Sequence, residues 1–174
     1  MASKAKQPPR PAAREAAPIR HDARIVVLAS RFNNAVTQAL VSGAIDALRR
    51  EGVPEQNLTV LWVPGAFELP IAAASAADAL KPQGIVAVGC LLKGETSQYV
   101  AIGHAVANGL TQVSVAKDIP VTCGVIVAES LTQAKARAGG SVGHRGKEAA
   151  LAALEMIELK QRLAGRSQGR QTPL

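Results

Sequence analysis

Arg24-Ile-Val-Val-Leu-Ala29 is the stretch that decides the fold. After its leading arginine it is unbrokenly apolar, the pattern of a strand covered on both faces. Beyond it, Val36, Leu40, Val41, Ile45 and Leu48 recur at helical spacing over Asn34–Arg50, and Gly52 and Pro54 end that helix. Leu58–Val63 reads as a second strand closed by Pro64-Gly65, and Phe67–Leu80 as an alanine-rich helix closed by Pro82 and Gly84. Gly84–Gly89 is a third buried strand, followed by a loop over residues 90–97 and a long helix over Gln98–Lys117. Ile119–Val127 supplies a fourth strand, Ser130–Arg137 a short helix and Lys147–Leu163 a final one, with no internal repeat. Nearly all-apolar strands alternating with helices predict an α/β protein: a three-layer α/β/α sandwich around a four-stranded parallel sheet. The ligand crevice of such a fold lies beyond the carboxyl ends of its strands. That rule selects Ser30–Asn34, Pro64–Glu68, Cys90–Gln98 and the chain from Ala128 onward.

Composition narrows the function. The 174 residues, 48% hydrophobic and 19% charged, suffice for one packed domain, placed at residues 22–163. No apolar run approaches the ~20 residues of a membrane span. The start of the chain lacks the apolar core of a secretory signal. Cys90 and Cys123 match neither a disulfide framework nor a zinc pattern, so a cytoplasmic location is expected. The net charge of +7 belongs to the ends. Lys4, Lys6, Arg10, Arg14 and Arg20 face one acid, Glu15, in an unstructured basic tail over residues 1–21; Lys160, Arg162, Arg166 and Arg170 lie in or beside a second tail over 164–174. Such tails attract polyanions or simply keep an assembly soluble. With aromatic residues at 2%, the stacking platform of a single-strand binder is missing, and nucleic acid is not the expected partner.

Two nucleotide motifs are excluded. Ala29-Ser-Arg-Phe-Asn33 has no glycine, against a dinucleotide fingerprint. Gly140-Ser-Val-Gly-His-Arg-Gly-Lys147 has Ser141 where a phosphate loop needs glycine, and Glu148 where Ser or Thr must hold magnesium. Lys93-Gly-Glu-Thr-Ser97 opens a long helix, and free N–H groups there suit a phosphate; a helix capped by Thr96 or Ser97 explains the same residues. Arg137, His144, Arg145 and Lys147 supply cations to that crevice or belong to a solvated loop. Pro64-Gly65 turns the chain tightly and puts Glu68 in a first helical turn. There it caps the helix or accepts hydrogen bonds from a polyhydroxyl ligand.

Several blocks together resemble the 6,7-dimethyl-8-ribityllumazine synthase family. They are Ser30-Arg-Phe-Asn33, Val63-Pro-Gly-Ala-Phe-Glu-Leu-Pro70, Gly89-Cys-Leu-Leu-Lys-Gly-Glu-Thr96, Gly109-Leu-Thr-Gln-Val-Ser114, Arg137-Ala-Gly139 and Gly146-Lys-Glu-Ala-Ala-Leu-Ala-Ala-Leu-Glu-Met156, in order over about residues 22–163. The resemblance implies a flavodoxin-like sheet and the penultimate step of riboflavin synthesis. In that step 5-amino-6-(D-ribitylamino)uracil condenses with 3,4-dihydroxy-2-butanone 4-phosphate, releasing phosphate and water. It implies no metal and no organic cofactor. Phe32 would stack on the pyrimidine and Asn33 contact the substrate. Ala66 and Glu68 would bind the ribityl chain, with Phe67 in the same substrate-binding set, and Leu91 and Leu92 would line the ring edge. Gly94, Glu95 and Thr96 would hold the phosphate through N–H groups, joined by Arg137 of a neighbouring subunit and by Arg145. The family assembles as homopentamers, some packed further into decamers or icosahedral shells and some associated with riboflavin synthase. The segment before the first strand, here around Ile19–Arg24, often joins the neighbour's sheet.

Two departures stand out. Gln98 occupies the place of the family's proton-transfer histidine, and Val100 that of an acidic residue. A glutamine amide orients a carbonyl or a water but does not titrate near neutrality, so proton-transfer help typically worth about 10²–10⁴-fold would be lost. Cys123 stands where the family often has an aromatic contributed across the interface. His104, ~9 Å along the helix and ~120° round from Gln98, is poorly placed as a substitute. His144 in the phosphate-side loop is the better placed of the two.

Overall fold

The computed structural model describes residues 22–168, and side chains as far as residue 165. The expectations for residues 1–21 and for the last six residues lie outside that range. A four-stranded sheet in the order β2-β1-β3-β4 is built from β1 (Ile25–Ser30), β2 (Leu58–Val63), β3 (Gly84–Leu92) and β4 (Val121–Ala128). Every pairing in it is parallel. The helices are α1 (Asn34–Arg50), α2 (Leu69–Leu80), α3 (Gln98–Lys117), α4 (Leu131–Ala136) and α5 (Arg145–Gln168). This is the expected α/β sandwich with a flavodoxin-like sheet.

Strand alternation sorts the core into two halves. Ile25, Val27 and Ala29 join Val86, Val88, Cys90, Ile126 and Ala128 under α1 and α5. Val26 and Leu28 join Ile85 and Ala87 under α2 and α3. The helices approach closely because they present small residues: Ala73, Ala76 and Ala77 from α2, and Ala149, Ala150 and Ala153 from α5. At the start of α5 a Cβ on Gly146 would lie 2.0 Å from the Leu40 carbonyl oxygen of α1, so only glycine fits. The edge strands differ from the centre. β1 is buried throughout, whereas Thr59, Val60 and Leu61 of β2 are exposed.

Several boundaries depart from the expected ones for physical reasons. β3 continues to Leu92 because its pairing with β4 does, through Leu92 opposite Ala128. β4 begins at Val121 because Pro120 has no N–H to give; its carbonyl still accepts the Ile85 N–H at 2.8 Å. A 3-10 turn, Ala66–Glu68, precedes α2. α5 runs from Arg145 to Gln168, well past Leu163. The hairpin of β5 (Ala138–Gly140) and β6 (Gly143–His144) left no sequence signal: it is very short, and Gly139 and Gly143 sit at φ +107° and +122°. Replacing Gly146 by Ala should force α1 and α5 apart and destabilise the protein by about 2–4 kcal/mol, read as a lowered Tm.

Candidate active site

The four carboxyl ends meet along one edge of the sheet, and the loops leaving them form the crevice. Beyond β1, the Arg31 N–H donates to the Val63 carbonyl at 2.9 Å, tying this loop to the end of β2. Asn33 then adopts left-handed backbone (φ 57°, ψ 45°) as the residue before α1. Its Nδ2 donates to the Cys90 carbonyl of β3 at 2.8 Å. Asparagine tolerates this conformation better than most residues. The Thr37 hydroxyl donates to the Phe32 carbonyl at 3.1 Å. So held, Phe32 projects outward, 73% exposed. Phe67, beyond β2, is 61% exposed. Both phenylalanines of the chain therefore stand in crevice loops and none in the core.

In the turn before α2, Ala66 is buried in the core beneath α2 and α3. Glu68 Oε2 accepts the Gly65 N–H at 2.8 Å, so the capping role is realised. Among the described residues Oε1 of Glu68 and Oδ1 of Asn33 have no protein partner, leaving two acceptors beside the crevice. Leu91 and Leu92 do not act together: Leu91 packs toward α2 and α3, Leu92 toward α1 and α5.

Gly94, Glu95, Thr96 and Ser97 are exposed ahead of α3. Among the described residues none of their N–H groups donates to protein. A Cβ on Gly94 would meet nothing within 4 Å. Ser97, at the cap position, makes no side-chain cap, and the first turn of α3 carries no acid. The Thr96 hydroxyl accepts the Gln98 N–H at a long 3.4 Å. Free donors at the positive end of a 20-residue helix receive an anion readily. Lys93 contributes an ammonium 3.8 Å from Glu129 across the ends of β3 and β4. Sequence reading gave that pair no role; the signal was two opposite charges directly after paired strand ends. It set Ser30 at the crevice without a role; among the described residues its hydroxyl is fully buried and has no hydrogen-bond partner.

The remaining candidates are spread more widely. Gln98 is exposed at the start of α3. Arg137 is exposed at the end of α4; its guanidinium has no protein partner among the described residues. Arg145 is held at 2.9 Å by Glu148 and must exchange that partner to reach another anion. Cys123 lies mid-strand in β4 yet is exposed, unlike the buried small hydrophobe its position suggests. Burial pushes the Cys90 thiol up to about 11, which makes it inert. His104 is exposed on α3. His144 packs on Gly43 of α1, in the layer opposite α3, and so cannot serve position 98 of its own protomer.

The fold and site define an α/β protein with an exposed helix start and exposed aromatics around one crevice. The family model for 6,7-dimethyl-8-ribityllumazine synthase matches residues 22–161. The chain belongs to that family. Asn33→Gly should keep the left-handed turn and lose only the bond to Cys90. Asn33→Ala should lose both and be the less stable by about 1 kcal/mol, measured by thermal unfolding.

Proposed function

We propose that the chain condenses 5-amino-6-(D-ribitylamino)uracil with 3,4-dihydroxy-2-butanone 4-phosphate to 6,7-dimethyl-8-ribityllumazine, phosphate and water, more slowly than a histidine-bearing site would. The observation that carries this reading is the exposed start of α3, where among the described residues the N–H groups from Gly94 to Ser97 have no protein acceptor and Gly94 is open. Phe32 stacks on the pyrimidine ring, held in place by Asn33. Glu68 accepts a ribityl hydroxyl on Oε1 while Oε2 remains on its cap. The phosphate rests on the N–H groups of Gly94, Glu95 and Thr96, and Arg137 of the adjoining protomer closes over it. A guanidinium grips two phosphate oxygens at once.

The substrate amine attacks the ketone to give an imine and water. Phosphate then departs to leave an enol that tautomerises to a second carbonyl, and the ribityl-bearing nitrogen closes the ring on that carbonyl with loss of a second water. Each step is chemically accessible once the partners are juxtaposed, so positioning supplies most of the acceleration. Gln98 orients the carbonyl or a water through its amide and carries no proton, which lowers the rate without abolishing it. A homopentamer is supported by the apolar residues that a lone protomer leaves in water: Ile71 is 67% and Val115 78% exposed. Gln98 also favours a second reading, a protein that binds lumazines or flavins, or builds a shell, without turnover.

Purified protein given both substrates should form product above the buffer rate. Binding of a lumazine analogue with no such rate would select the second reading. Gln98→His should raise kcat by roughly 10–100-fold, at or below the low end of what a positioned proton carrier provides. Arg137→Ala should raise KM for the butanone phosphate by about 10–100-fold, the loss expected of a charge-assisted contact, and leave KM for the uracil near its starting value.

A further inference from the structure

Gly43 sits in the middle of α1, where glycine costs about 1 kcal/mol against alanine. Its neighbour explains it. A Cβ there would lie 2.0 Å from Nε2 and 2.1 Å from Cε1 of His144, so the imidazole fills the space a side chain would occupy. On the hairpin side, Gly139 closes the seat: a Cβ on it would come 3.2 Å from Cδ2 of the same ring. The ring is thus wedged between α1 and β5, with the Lys147 N–H 3.5 Å from Nδ1.

This wedge is joined to Arg137 by main chain alone. His144 pairs with Ala138 across the hairpin, and the Arg145 N–H donates to the Arg137 carbonyl at 2.8 Å. Glu148 holds the other strand, accepting the His144 N–H on Oε1 at 3.3 Å and pairing with Arg145 through Oε2. Among the described residues the Arg137 guanidinium has no partner, and its backbone position is set by where the hairpin seats on α1. We propose that His144 is a positioning residue: its ring, keyed into Gly43, fixes the backbone of Arg137 so that the guanidinium meets the phosphate group of the substrate. This rests on the synthase reading for the role of Arg137, and it gives His144 no contact with substrate.

The test uses the full-length assembly and inorganic phosphate as the probe, titrated by calorimetry at constant ionic strength. His144→Ala should weaken phosphate binding about five- to tenfold, less than Arg137→Ala, because the charge is loosened and not removed. His144→Phe keeps a planar wedge and should bind as the unaltered protein does. Gly43→Ala should expel the ring and reproduce the loss. Combined with His144→Ala it should cost no further affinity, since both changes act on one contact. In turnover, His144→Ala should raise KM for the phosphorylated substrate and spare KM for the uracil. Unchanged phosphate binding in His144→Ala and Gly43→Ala, with Arg137→Ala still weakened, overturns the positioning role and leaves the synthase reading standing. Additive losses in the double variant overturn it as well. If Arg137→Ala leaves phosphate binding unaltered, the synthase reading of Arg137 falls and the role of His144 with it. Should His144→Ala fail to assemble, Gly43→Ala and His144→Phe decide between the same outcomes.

Discussion

The parallel ladder between β1 and β3 is the constraint on which the rest depends. Both strands are buried in the centre of the sheet, and their register runs from Ile25 opposite Gly84 to Ala29 opposite Val88. Just past that last pair the strands stop sharing backbone hydrogen bonds, and the chain has to satisfy its polar groups by other means. The Asn33 carboxamide does so by reaching the Cys90 carbonyl. Because all four strands run the same way, every loop that carries chemistry emerges on the same side. The crevice is a consequence of sheet direction before it is a consequence of any one side chain.

The helices and strands were legible where one local signal dominated. α1, β2 and α3 fall where periodicity and breakers place them, since Gly52, Pro64 and the positions around them leave no competing conformation. The ends of β3 and β4 were not legible, because where a ladder stops is decided by the partner strand. The hairpin of β5 and β6 was invisible for a related reason. Its few residues are shaped by packing on α1, and glycines at positive φ carry no hydrophobic pattern.

The site was legible as chemistry and less so as geometry. Exposed Phe32, the open Gly94 loop and exposed Arg137 stand in the loops that the strand-end rule selects. What the sequence could not convey was which of these groups already have a partner. Glu68 spends one oxygen on a cap and Arg145 is held by Glu148, while Leu91 and Leu92 turn to opposite faces. His144 shows the same limit from the other direction: read along the chain it is a titratable group in a basic loop, and in three dimensions it is a spacer that replaces a missing side chain.

The outer edge of β2 has one more implication. Leu58–Val63 ends the sheet among the described residues, and Val60 and Leu61 face water beside backbone groups that no strand there pairs. An uncovered parallel edge of this kind is a template for whatever extended peptide reaches it first. Any extended segment laid along Leu58–Val63 satisfies those groups and removes the template, and an edge left bare invites promiscuous zippering as concentration rises.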